Sequence, residues 1–221
     1  MARDDFLKDV SKELIVQEAM YGFVMALTFV TAVQLGIVEY HDRGRLCLAI
    51  SGMIFVWGMI DMFIFFRMDM MSLKRTAISY KRAMTDRDSE SSRGIIADEL
   101  DGTIVDLVDG ETRERIVDAI LMSETSSCDE GIRAERRVHV INAIAAAIVT
   151  FATALPVIAC IMLISDFGVA LIMSSVTSSI ALFFVGYSMS PYSNGIKKIG
   201  TGIAVTLASL ALTLFAALLG G

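Results

Sequence analysis

Two stretches of the chain combine side chains that could bind a metal ion. The first, GMIDMFIFFRMDMMSLKR at residues 58–75, sets Asp61 inside an apolar run and follows it with Met62, Arg67, Met68, Asp69, Met70 and Met71. Asp61 and Met68 are seven residues apart, as are Met62 and Asp69, so on a helix each pair shares a stripe that mixes a carboxylate with a thioether. Carboxylate oxygens suit Fe(II) or Mn(II), and thioethers suit softer ions such as Cu(I) while tolerating Fe(II). An ionised aspartate at bilayer depth costs on the order of 3 kcal/mol, so Asp61 must face the bundle interior, pair, or meet water. Within the apolar runs it is the one strongly ionisable residue at such depth, Glu18 and Arg67 lying nearer the ends. The plainer alternative is that the methionines fill core gaps and that Asp61 holds Arg67 or a neighbouring helix in register.

The second stretch is acidic. Glu111, Glu114 and Asp118 recur at three- and four-residue intervals, with Met122 and Glu124 just downstream. Clustered carboxylates repel unless a cation or a basic partner sits among them. They read either as a cation-collecting surface, with Met122 and Glu124 adding a soft and a hard ligand, or as a solvated face offset by Arg113 and Arg115. Cys47, Cys128 and Cys160 form no disulfide framework and no C-x-x-C pair, and His41 and His139 are isolated, so a zinc site is not expected. No paired nucleophile and base, no H-E-x-x-H and no phosphate loop occur, and an enzyme is not expected.

The elements that must position these residues are membrane helices. Of 221 residues 55% are hydrophobic and only two are proline, and the charge is confined to a few blocks. Five runs, 15–38, 46–67, 138–165, 168–190 and 199–219, are long enough to cross about 30 Å of hydrocarbon. None alternates as barrel strands do, so the fold class is all-α, a polytopic membrane protein. Segments 1–14, 67–137 and 191–198 hold 17 of the 19 Lys and Arg, while the loop 39–45 holds Arg43 and Arg45. The positive-inside rule then puts the N-terminus inside and the C-terminus outside. The chain divides into 1–67, an interfacial segment with two helices; 68–137, a cytoplasmic acidic insert; and 138–221, three helices. The insert's apolar spacing predicts helices over 92–108 and 111–124, parted by Asp109-Gly110. Pro156 predicts a kink in the third span, and Gly200, Ala204 and Ala208, four apart, predict a close helix contact in the fifth.

The textures EAMYGFVMALTFV at 18–30, TALPVIACIML at 153–163 and ALFFVGYSMS at 181–190 sit on the same five-helix plan with an acidic insert. Together they resemble the vacuolar iron transporter family. The resemblance implies a membrane transporter moving divalent metal, iron or manganese, out of the cytoplasm, and a homodimer in which the small insert finds something to pack against. It also implies Fe(II) or Mn(II) as the ion bound or carried, with no resident cofactor. If Tyr21-Gly22 matches the family's Y-G, its first-helix aspartate is replaced here by Met25, which makes Met25 and Asp61 the expected transport path. That replacement also suits an alternative, a transport-inactive relative acting as membrane scaffold or metal sensor. The expected partner is the lipid bilayer, with no nucleic acid, and the expected location is the cell membrane.

Overall fold

The computed structural model describes residues 10–40, 42–123 and 125–219, and the side chains of all of these but 125–129. No strand occurs among them. The helices, in chain order, are α1 Lys12–Gln34, α2 Arg43–Thr85, α3 Glu90–Leu100, a short 3-10 helix Ile104–Leu107, α4 Gly110–Leu121, α5 Thr125–Ala152, α6 Ala154–Leu163, α7 Phe167–Met189 and α8 Gly195–Leu218. Five helical segments are long and apolar enough to span a bilayer: Lys12–Gln34, Arg43–Thr85, Glu130–Leu163, Phe167–Met189 and Gly195–Leu218. The protein is therefore an integral membrane protein.

Two helices run differently from the sequence expectation, and the interruption expected at Pro156 is present. The second helix does not stop near Arg67 but continues to Thr85, because no glycine or proline interrupts residues 59–85. The predicted helix over 92–108 ends at Leu100. Asp101 turns extended there and Gly102 takes φ +78°, a left-handed value that glycine adopts without strain. The third span is broken, with α5 ending at Ala152 and α6 starting at Ala154. Pro156 has no amide proton to donate to the carbonyl four residues back, at Ala152, and the chain parts beside that missing bond.

The chain forms two compact units, residues 1–63 with 141–221, and Ile64–Val140. The membrane unit has its apolar core in Ala26, Val30, Leu46, Ile50, Ile54, Ala154, Val157 and Ile161. Lipid is as apolar as leucine, so these helices gain by close packing rather than by leaving water. Backbones meet where side chains are missing: a Cβ on Gly186 would fall 3.0 Å from Gly202 Cα and 2.6 Å from Val205 Cβ. The contact surface of α8 is thus Gly202, Ser209, Thr213 and Ala217. Gly200, Ala204 and Ala208 are exposed instead, with nothing near a Cβ built on Gly200. Two residues along a helix turn a side chain by about 200°, so the small-residue stripe faces away from the interface it was expected to make. At the other end of α6, Arg43 donates to the carbonyl oxygens of Ile161 (3.2 Å), Ile164 (2.5 Å) and Ser165, capping a helix end whose carbonyls have no helical partners.

The second unit has a much smaller core of Ala83, Ile96, Val117 and Leu121. Its helices start at side-chain caps: Ser89 accepts from the Ser92 amide and Asp109 from the Thr112 amide.

Candidate functional site

The site begins with Glu18, four residues before Gly22 and therefore on the same face of α1. Gly22 lets α1 close on the α5–α6 junction, for a Cβ there would lie 2.0 Å from Thr153 Oγ1 and 3.0 Å from the Thr150 carbonyl oxygen. That close approach buries the face, and Glu18 is 0% exposed. Its Oε2 is hydrogen-bonded to Thr150 Oγ1 at 2.5 Å, and the same hydroxyl donates to the Ala146 carbonyl oxygen at 2.9 Å. The Thr150 hydroxyl thus presents its single proton to two acceptors, the Glu18 carboxyl and the Ala146 carbonyl oxygen. Glu18 Oε1 has no hydrogen-bond partner among the described residues.

Asp61 reaches the same region from α2. One turn before it, Gly58 lies against Ala147 and Thr150, where an added Cβ would sit 3.3 Å from the Ala147 carbonyl oxygen. Asp61 is half-buried and lines a cavity of about 450 Å³ with Met20, Tyr21, Val24, Met25, Trp57, Ser209 and Leu212. No hydrogen bond reaches its carboxylate from the described residues. The cavity thus brings one carboxylate, two thioether sulfurs, a phenol and a hydroxyl into an otherwise apolar wall.

The remaining sequence candidates are more dispersed. Met25 stands with Asp61 at the cavity, whereas Met62 is half-buried and is not part of its lining. In the second unit, Met68 is exposed and Asp69 Oδ2 lies 2.9 Å from His139 Nδ1. Glu111 is paired with Arg115 and Asp118 with Arg93, each at 2.5 Å, and Glu114 and Met122 are exposed. Glu124 lies outside the described residues. Asp118 and Met122 do share a cavity of about 350 Å³, but with Arg87, Asp88, Arg93 and Leu121. No three His, Cys, Asp or Glu side chains cluster as a metal site among the described residues.

Sequence reasoning missed Glu18, Met20 and Thr150. The available signal was the Glu18-x-x-x-Gly22 spacing, since a glycine within an apolar helix marks a face that another backbone approaches. Compared with protein-family models, with curated proteins and with solved structures, the chain matches none.

Proposed function

We propose that the protein is a membrane transporter of divalent metal ions, iron or manganese, which it moves out of the cytoplasm through the cavity at Asp61. The observation that carries this reading is the facing of Asp61 by Met20 and Met25 across one cavity. A single carboxylate with thioethers offers a cation one hard ligand and two soft ones, enough to favour Fe(II) or Mn(II) over Mg(II) while leaving positions for water. A site of so few protein ligands releases its ion readily, as a carrier must. The methionines also remove water from around the carboxylate, which strengthens its attraction for a cation.

The test is metal uptake into sealed vesicles holding the purified protein. Asp61→Asn, nearly isosteric and uncharged, is expected to lower Fe(II) and Mn(II) flux at least tenfold while folding and insertion stay intact. Met25→Leu, keeping the volume and removing the sulfur, is expected to lower Fe(II) flux more than Mn(II) flux. Wild-type vesicles that carry neither ion, or an Asp61→Asn protein with normal flux, would show the reading to be wrong.

A further inference from the structure

We propose that the turn between α7 and α8 is a docking surface for anionic phospholipid, with the ammonium groups of Lys197 and Lys198 taking the lipid phosphate. The two helices it joins, Phe167–Met189 and Gly195–Leu218, are both long and apolar enough to span a bilayer, so residues 190–194 lie at a membrane surface. Lys197 and Lys198 stand in the first turn of α8, at the depth where a span meets headgroups.

Charge selects the partner. Residues 167–221 contain two lysines and no Asp or Glu, so this hairpin has no acid of its own to neutralise them. Glu13, in the first turn of the neighbouring α1, is hydrogen-bonded to Ser11 at 2.9 Å. Among the described residues neither lysine ammonium has an ion pair or a hydrogen bond, and what each has instead is a ring. Lys197 Nζ lies 4.9 Å from the centre of the Tyr192 ring, and Lys198 Nζ 5.6 Å from that of Tyr187. A ring face attracts a cation but engages only one side of it, leaving N–H donors for an acceptor outside the protein. A phosphate with net negative charge accepts those bonds and cancels the charge. The choline or ethanolamine of a zwitterionic lipid would bring a further cation to a site that already has two.

The surroundings suit a lipid rather than a free anion. Ile196 and Ile199, 79% and 46% exposed, border the lysines and offer acyl chains an apolar surface. The support is also fixed. Thr201 Oγ1 lies 3.2 Å from Ser190 Oγ and 3.0 Å from the Lys197 carbonyl oxygen, tying the end of α7 to the start of α8. Asn194 Oδ1 accepts from the Ile196 amide at 2.9 Å, and the Asn194 carbonyl oxygen from the Lys198 amide at 3.0 Å. The two ammonium groups are thus presented from a bonded turn and two aromatic rings.

A fluorescent label reads which lipid sits beside the turn. The full chain, with its native cysteines replaced by alanine, would carry bimane at Ser193→Cys in phosphatidylcholine vesicles containing, at equal mole fraction, brominated phosphatidylglycerol or brominated phosphatidylcholine. Quenching by the phosphatidylglycerol is expected to correspond to a local enrichment of at least about fivefold, the effect of one lysine near an anionic surface. A label at Leu219→Cys, just beyond the other end of α8, is expected to show no such preference. Lys197→Gln with Lys198→Gln should abolish the preference at 193, and Lys197→Arg with Lys198→Arg should keep it, which separates loss of charge from loss of structure. Inorganic phosphate in excess, against chloride at the same ionic strength, should leave the preference in place. Equal quenching by the two lipids at 193, or a preference that survives the double glutamine substitution, would overturn the proposal. So would a preference of the same size at 219, or one that inorganic phosphate removes, since the site would then be a general attraction or a free-phosphate site.

Discussion

The membrane unit and the Ile64–Val140 unit hold their helices together by different means. In the first, glycines at 22, 58, 186 and 202 bring backbones to within a missing methyl of one another. In the second, four side chains make the core and ion pairs surround it: Arg93 with Asp118, Arg113 with Asp101, and Arg115 with Glu111. The solvent explains the contrast. Apolar burial separates helices from water but not from lipid, so membrane helices are fastened by closeness and by the few polar groups between them. Exposed ion pairs in water contribute little each and are screened by salt. The same residue type consequently means different things in the two units. Glu18 is a buried carboxyl on one threonine, whereas Glu111 is a solvated carboxylate beside an arginine.

That contrast can be broken most sharply at Gly22. Gly22→Ala should strain the α1 contact with Thr153 and destabilise the membrane unit by about 1–3 kcal/mol, the usual range for overpacking. Denaturant unfolding of the detergent-solubilised protein measures it, and an unchanged midpoint would mean that the helices separate freely. Thr150→Val comes next. It removes the one hydrogen-bonding partner that a fully buried carboxyl has among the described residues, at a cost of about 1–3 kcal/mol, and Thr150→Ser should recover most of the loss.

The second unit should respond more weakly and, unlike the first, in a way that depends on salt. Asp118→Asn, which uncouples Arg93, should cost under about 1 kcal/mol at low ionic strength and nothing measurable in 1 M salt. Salt should leave the Gly22→Ala effect unchanged. The smallest effect expected is the acid response of α4. The Thr112 amide and hydroxyl hold the Asp109 carboxyl below its ordinary range. Its contribution to stability is thus complete above the pKa it has when unfolded, and is lost as pH falls through the lower folded value. Amide exchange at Thr112 should accelerate only in that acid window, while the amides around Gly22 stay protected. Equal acceleration in both units would erase the distinction.

Much of this was legible in local sequence. Five apolar runs had to become membrane-length helices, because a backbone in hydrocarbon must satisfy its own hydrogen bonds. Pro156 had to interrupt one of them, and Asp61 stood out because an acid amid FVWGMIDMFIFF needs a reason to be there. Met25 could be named as a neighbour of Asp61 only through a resemblance, and Met20 could not be named at all. The acids of the second unit showed their spacing but not their partners, since Arg93 and Asp118 lie on different helices.

What the amino-acid sequence determined by itself was therefore the order of the helices, their apolar character and the one acid in the middle of a run. These follow from side chains within a few residues of one another and from the chemistry of the bilayer. Tertiary structure alone decided that Glu18, three residues into its run, is the more deeply buried of the two carboxyls. Its burial depends on Thr150, 132 residues away, and on Gly22 letting two backbones close over it. Tertiary structure also decided which stripe of α8 faces inward, since a helix with small residues on two faces offers both to its neighbours. The helices packed on α8 select between them, most closely α7, where Gly186 and Phe183 meet Gly202.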